Sequence, residues 1–232
     1  MESKIIDVII PAYNEEDSIG LVVKEIPKNL VRNILVCNNA STDRTAEVAL
    51  QNGAKVIDAP QKGYGSACLA GINYLKQLEE TQQPDIVVFI DGDYSDYPEE
   101  MIQVVAPIIN EDYDMVIGSR ALGKREKGSM MPQQIFGNWL ATTMIKLLYR
   151  YEFSDLGPFR AITWKALTQI GMVDTNFGWT VEMQVKAAKQ NLKCTEVPVK
   201  YRKRVGVSKV SGTIKGTIMA GYKIIWTILK YK

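Results

Sequence analysis

Over the first 118 residues, short β-branched and apolar runs alternate with longer stretches whose apolar positions recur at helical spacing. That alternation predicts βαβ units and an α/β fold with a mostly parallel central sheet and helices on both faces. The runs predict strands at Ile5–Ile10, Asn33–Cys37, Lys55–Asp58, Ile86–Ile90 and Met115–Ile117. After Asn14, the residues Ile19, Val22, Val23 and Ile26 share one helical face, and Pro27 stops the helix. Ser41 or Thr42 offers a cap for the next helix, which runs to the C-cap pair Asn52-Gly53. Beyond residue 119 the pattern is less regular. Pro132 to Tyr151 reads as a long helix carrying Ile135, Phe136, Trp139, Leu140, Met144, Leu147 and Leu148. Thr213 to Lys232 reads as a second, amphipathic one, with Ile214, Ile218, Met219, Tyr222, Ile225, Trp226 and Leu229 on a broad stripe. No repeat, linker or low-complexity tract interrupts the chain, so a single domain over 1–232 is expected, divided at 118 and 212.

Composition narrows the chemistry. The 232 residues are 46% hydrophobic and 23% charged, which suits one globular core, and a formal charge of +2 is too small to mark a nucleic-acid binder. The charge is uneven: acids crowd positions 91–114, and the chain from Val199 onward is basic. Cys37, Cys68 and Cys194 lack metal-ligand spacing and read as thiols of a reducing compartment. No signal peptide precedes the first strand, and the apolar stretches fall short of the roughly 20 residues that span a bilayer, so a cytosolic location, or the cytosolic face of a membrane, is expected. The chain has no histidine, which removes Ser-His-Asp and Cys-His catalysis and histidine-ligated zinc. Carboxylates, cations, hydroxyls and a hard metal remain.

The strongest local signal is IVVFIDGDYSDYPEE, where an apolar strand ends in Asp91-Gly92-Asp93. Two carboxylates at a strand terminus repel each other, and a hard cation such as Mg²⁺ or Mn²⁺ makes the arrangement favourable by accepting oxygens from both. Open parallel sheets bind ligands beyond the carboxyl ends of their strands, where this pair lies. A solvated acidic loop is the plain alternative. A phosphatase of the haloacid-dehalogenase type also places Asp-x-Asp after a strand, but near the start of its fold and with a downstream acidic pair that is not evident here.

Other strand-end strings extend the signal. VIIPAYNEE, NNASTDRT, KGYGSA, DGD, GSR, SDLGPFRA and GWTVEMQ, in that order and spread over most of the chain, resemble family 2 glycosyltransferases of GT-A fold, and within them the dolichyl-phosphate and polyprenyl-phosphate sugar synthases. The resemblance implies a GT-A (Rossmann-like) sheet whose 1–118 half binds a nucleotide sugar and whose 119–212 part forms an acceptor side. It also implies inverting transfer of a hexose from a UDP- or GDP-sugar to a polyprenyl phosphate or other membrane-associated acceptor. A non-catalytic nucleotide-sugar-binding protein would share the binding residues and differ only in turnover. A sugar nucleotidyltransferase would need an N-terminal glycine-rich arginine-lysine loop that the chain lacks.

Residue by residue, the resemblance places Pro11, Tyr13 and Glu15 around base and ribose, with Asn38 and Asn39 where the family more often has acids. Lys62 and Gly63 match a lysine-glycine loop beside the base and phosphate, and Arg120 matches a cation for diphosphate or acceptor phosphate. Asp93 is expected to bind the metal directly, with Asp91 on the metal or the ribose. Asp155 and Glu182 are the two acids of the distal motifs and the candidate general bases, although helix starts also favour an acid such as Glu182 on dipole grounds. Asp43 and Thr42 are as well explained by helix capping. The stretch Tyr201–Lys209 resembles a loop that covers the diphosphate, with Arg202 or Arg204 as the contact. The last helix, flanked by Lys215, Lys223, Lys230 and Lys232, suits anionic lipid, and equally suits packing on the body or on a second subunit.

Overall fold

The structure is a computed structural model and describes residues 4–206 and 214–232, with side chains of the last helix from Met219 onward. Val207, Ser208, Lys209 and Thr213, and the Ile214, Lys215 and Ile218 side chains, lie outside the described residues. Seven strands form one sheet: β1 (Ile6–Ala12), β2 (Asn33–Asn38), β3 (Lys55–Asp58), β4 (Ile86–Phe89), β5 (Met115–Ser119), β6 (Arg160–Thr163) and β7 (Cys194–Pro198), in the order β3-β2-β1-β4-β6-β5-β7. Only β6 runs against its neighbours β4 and β5. The five predicted strands are present. The strands β6 and β7 were not read from the sequence, because each is short and has a weak apolar signal: Cys194–Pro198 is mostly half-buried, and Arg160 opens β6.

Among the described residues eight α-helices pack around the sheet or on one another: α1 (Ile19–Glu25), α2 (Thr45–Gln51), α3 (Tyr64–Lys76), α4 (Met101–Glu111), α5 (Pro132–Tyr149), α6 (Trp164–Ile170), α7 (Trp179–Lys189) and α8 (Ile214–Lys230). Strand periodicity divides the core. In β1 and β4, Ile9, Val87 and Phe89 face one cluster with α3, α6 and α7, while Val8, Ile10, Ile86 and Val88 face the other with α1 and α4. Helix α2 starts at Thr45, beyond the predicted cap: Asp43 Oδ1 accepts the Thr45 amide at 3.0 Å, and neither Ser41 nor Thr42 caps it. The long helix ends at Tyr149, with Arg150 in the left-handed region.

At the end of the sheet away from the strand-end loops, Asp7 is fully buried. Arg32 meets it through Nε at 3.1 Å and Nη2 at 2.5 Å, and Asn33 adds its amide and side chain. Removing the guanidinium leaves a buried carboxylate without its cation, a loss of about 3 kcal/mol. Arg32→Met is expected to lower the urea midpoint accordingly, and an unchanged midpoint would show that the asparagine contacts suffice.

Candidate active site

The carboxyl ends of β1, β2, β4 and β5 open onto a cavity of about 670 Å³, a size suited to a nucleotide-sized ligand. Asp91 and Asp93 sit on its floor, in the turn after β4. The Gly92 carbonyl accepts the Ser18 hydroxyl at 2.8 Å, which ties this turn to the start of α1. Asp93 Oδ1 accepts the amide and hydroxyl of Ser95, and its Oδ2 faces Arg204 Nη1 at 3.2 Å. The same guanidinium reaches Glu15 Oε1 at 2.9 Å. One arginine from the far end of the chain thus bridges the β1 and β4 loops. It arrives there because residues 202–205 run beside the acidic turn, with the Arg202 amide on the Ser95 carbonyl and the Val205 amide on the Asp93 carbonyl.

Asp91 accepts the Tyr64 hydroxyl at 2.9 Å. Burial and the charge of Asp93 push its carboxyl up to about 7, against the opposing pull of Tyr64, Arg204 and Arg120. Five residues beyond Asp91, Asp96 is 1% exposed, and neither of its oxygens has a partner among the described residues. Burial, then the neighbouring Asp91, raises it well above the ordinary carboxylate value. Residue type and spacing alone do not separate Asp96 from the other acids of its loop.

These features fit a hard divalent cation. The two carboxylates supply oxygen donors, their mutual repulsion is visible in the raised Asp91, and a guanidinium already neutralises Asp93. No group of three or more His, Cys, Asp or Glu is arranged to hold a metal among the described residues. A cation held by Asp91 and Asp93 would need further oxygens from ligand or water to complete its shell.

On the side formed by the loops after β1, β2 and β3, Pro11, Tyr13, Asn39, Lys62 and Gly63 line the cavity. Lys62 Nζ lies 5.3 Å from the centre of the Tyr13 ring. The Asn39 side chain is engaged by backbone: its Nδ2 donates to the Ala59 and Gln61 carbonyls, and its Oδ1 accepts the Gly63 amide at 2.8 Å. It shapes the lysine-glycine loop. Asn38 is not in the cavity wall, and its Oδ1 accepts the Ser41 amide.

On the opposite side, Arg120 lines the cavity while Asp155 lies behind it, 1% exposed. The pair is bidentate, with Nε–Oδ2 at 2.9 Å and Nη2–Oδ1 at 2.7 Å, and the Arg120 amide adds a third bond at 2.7 Å. Burial alone would raise Asp155, but Arg120 outweighs it and holds the carboxyl below its ordinary value. Glu196 of β7 fixes this loop by accepting the Ser154 and Asp155 amides. Glu182, on α7, is fully buried outside the cavity wall, bonded to the Val173 and Asp174 amides and to Lys186. Arg202 also lies outside, stacked 3.4 Å from the Tyr94 ring centre and 4.1 Å from that of Tyr97, with Glu25 as its counter-ion. Of the two arginines left open by the sequence, Arg204 reaches the acids.

The remaining walls come mostly from residues outside the matched motifs, Trp179 of GWTVEMQ and Tyr201 of the Tyr201–Lys209 stretch excepted. Gln133, Gly137 and Asn138 of α5 line the cavity, as do Phe177, Trp179, Tyr201 and, from α8, Ala220, Gly221 and Ile224. No short-range signal identifies the others, because they meet only when the two helices pack together over the sheet edge.

A mixed sheet with an acidic turn after β4 lining such a cavity is the GT-A arrangement of glycosyltransferases. Glucosyl-3-phosphoglycerate synthase from Mycobacterium tuberculosis, solved with Mn²⁺, UDP-glucose and phosphoglyceric acid, superposes with a TM-score of 0.77 at 21% identity, over 98% of this chain and 79% of that one. The sequence pattern of glycosyl transferase family 2 matches residues 7–171, and the chain belongs to that family. It is a glycosyltransferase. An uncharacterized glycosyltransferase of M. tuberculosis is 34% identical over 222 residues, 95% of this chain and 96% of that protein. A dolichyl-phosphate hexose transferase of Haloferax volcanii is 31% identical over 206 residues, 88% and 85% of the two chains.

The raised Asp91 has a consequence for stability. Folded, it takes up a proton near pH 7; unfolded, it does so near the ordinary value of about 3.9. The folded form binds the extra proton between those values, so this contribution to stability falls as pH rises through the window and levels off above about 7. Asp91→Asn is expected to melt about 2–4 °C higher than the parent at pH 8 without metal, the shift that ~1 kcal/mol gives a chain of this size. The gap should close below pH 4. Equal melting temperatures at pH 8 would contradict the assignment.

Proposed function

We propose that this protein transfers a hexose from a UDP- or GDP-sugar to a polyprenyl phosphate or another membrane-associated acceptor, with Mg²⁺ or Mn²⁺ held by Asp91 and Asp93. The observation that carries the reading is a single cavity with an acidic turn and Arg204 at one end and helices α5 and α8 at the other. The dolichyl-phosphate hexose transferase of Haloferax supports the lipid-phosphate acceptor, and the Mn²⁺ and UDP-glucose of the mycobacterial structure support the donor and metal.

In this reading the base and ribose lie between Pro11, Tyr13, Glu15 and the Lys62-Gly63 loop, and the diphosphate reaches Asp91 and Asp93. Arg204 exchanges its carboxylate partners for phosphate oxygens. The metal, when bound, stabilises the charge that develops on the departing diphosphate. Arg120, fixed by three bonds to Asp155, presents a preset cation to the acceptor phosphate. The acids in the described cavity wall are Glu15, Asp91 and Asp93. An acceptor that is already an anion needs no general base, which suits a wall in which Glu15 and Asp93 are paired with Arg204. Asp155 orients Arg120 in this mechanism, and Glu182 has no part in the transfer.

The outer faces of α5 and α8 support the membrane-associated acceptor. Phe136 and Trp139 are 60% and 59% exposed on α5, and Tyr222, Trp226 and Leu229 are exposed on α8, which packs against it. Lys223 and Lys230 flank this aromatic face. Among the described residues no helix is long and apolar enough to cross a membrane, so the contact proposed is peripheral.

Two measurements test the proposal. UDP or GDP with Mn²⁺ should raise the melting temperature of the parent and not of Asp93→Ala, which should also lose transfer by at least 100-fold while keeping its fold. A parent that no nucleotide stabilises would remove the donor assignment. Second, the parent should sediment with vesicles containing anionic lipid, and Phe136→Ser/Trp139→Ser/Trp226→Ser should stay largely in the supernatant. Equal partitioning would remove the membrane face.

A further inference from the structure

The lysine-glycine loop on the base side of the cavity rests on another loop. Gly63 has φ +137°, and a Cβ there would stand 2.2 Å from the Thr175 carbonyl oxygen; a Cβ on Gly65 would stand 2.0 Å from that of Asp174. The Ser66 amide donates to Thr175 at 3.0 Å, and the Ser66 hydroxyl does so at 3.2 Å. The position of residues 63–66, and with it the Lys62 and Tyr64 sides of the cavity, is therefore set by the backbone of residues 173–178.

Two buried carboxylates hold that supporting loop. Glu182 accepts the Val173 amide and, at 2.7 Å, the Asp174 amide. Asp174 accepts the Asn176 amide at 2.7 Å and the Gly178 amide at 3.2 Å. Both acids also receive the C-terminal helical segment. Lys223 Nζ lies 2.8 Å from Asp174 Oδ2, and the Tyr231 hydroxyl donates to Glu182 Oε1 at 2.8 Å. Thr227 and Ile228 are buried beside these contacts, and the Tyr149 hydroxyl donates to the Ile228 carbonyl. The two acids thus stand between α8 and the loop that carries residues 63–66.

We infer that Lys223 and Tyr231 are positioning residues for nucleotide binding: they brace the 173–178 loop through Asp174 and Glu182 and so fix the donor side of the cavity without touching the donor. The inference rests on the nucleotide-sugar reading for the identity of the ligand alone. Neither residue is in the cavity wall. The brace gives Glu182 a definite role, which is to join α8 to the base of the cavity. It also couples the two ends of the molecule, because the helix whose outer face is aromatic is the one that holds the donor loop in place.

The test uses the full chain, with UDP and GDP as probes in the presence of Mn²⁺. Lys223→Met and Tyr231→Phe, singly and together, are expected to weaken binding of whichever nucleotide the parent takes, by about tenfold in the double variant. The KM for the nucleotide sugar should rise with kcat changed less than twofold. Amide exchange in the nucleotide-free protein gives an independent readout: Ser66, Val173 and Asp174 should exchange faster in the variants, while the amides of β1 and β4 do not. Tyr231→Phe removes a single hydroxyl and keeps the ring, so it reports even if the lysine change impairs folding. Lys223→Arg should restore binding, and Lys146→Met, at an exposed position of α5, should leave it unchanged. Parent-like affinity and parent-like exchange at Ser66 and Asp174 in the double variant would overturn the brace. A parent that binds neither nucleotide would instead overturn the donor reading, while the exchange measurement would still decide the brace.

Discussion

Carboxylates crowd the mouth of the sheet, and two arginines determine how they can be arranged. Glu15, Asp91, Asp93, Asp96 and Asp155 come from three separate stretches of the chain, and their mutual repulsion opposes any compact arrangement of the loops that carry them. Arg204 joins Glu15 to Asp93, and Arg120 takes Asp155 with three bonds. Each cation brings a late segment of the chain to an earlier loop. Charge compensation thus assembles the cavity as well as neutralising it, and the carboxyls left least compensated, Asp91 and Asp96, are the ones whose protons are held most strongly.

The sheet supplies the rigid frame for that arrangement. The parallel strands β2, β1 and β4 align their carboxyl ends so that the loops after them share one edge, and the reversed β6 places its preceding loop, with Asp155, beside Arg120 at the end of β5. Arg160 at the start of β6 is fully buried and donates only to backbone carbonyls of Leu156, Gly157 and Thr180, which fixes the loop from beneath. Burial without a carboxylate partner brings its guanidinium down to about 10. Helices α5 and α8 close the far wall with small and polar residues turned inward and aromatic ones left outside.

Much of this was legible along the chain. The five strands of the first 118 residues show as short β-branched runs set between helical stretches, and the turn after β4 stands out because two acids follow a buried strand. The weak points were equally physical. Strands β6 and β7 are short, and one of them opens with a charged residue, so periodicity had little to register. Ser41 and Thr42 looked like caps, but the cap bond comes from Asp43, one residue further on. The matched motifs put Asn38, Arg202, Asp155 and Glu182 among the site residues, while the fold sets all four behind or outside the cavity wall.

The sequence by itself determined the family, the α/β alternation and the chemistry on offer: a chain without histidine, with paired acids after a strand and arginines and lysines in the loops. These are local properties, carried by residue type and spacing. Only the tertiary structure decided which arginine meets Asp93, that Asp155 orients Arg120, that Asn39 shapes a loop, and that Glu182 joins the C-terminal segment to residues 173–174. Those outcomes depend on which side chains are brought within about 3 Å across separations of up to 189 residues, and on which charges burial leaves uncompensated. Spacing along a chain holds no record of either.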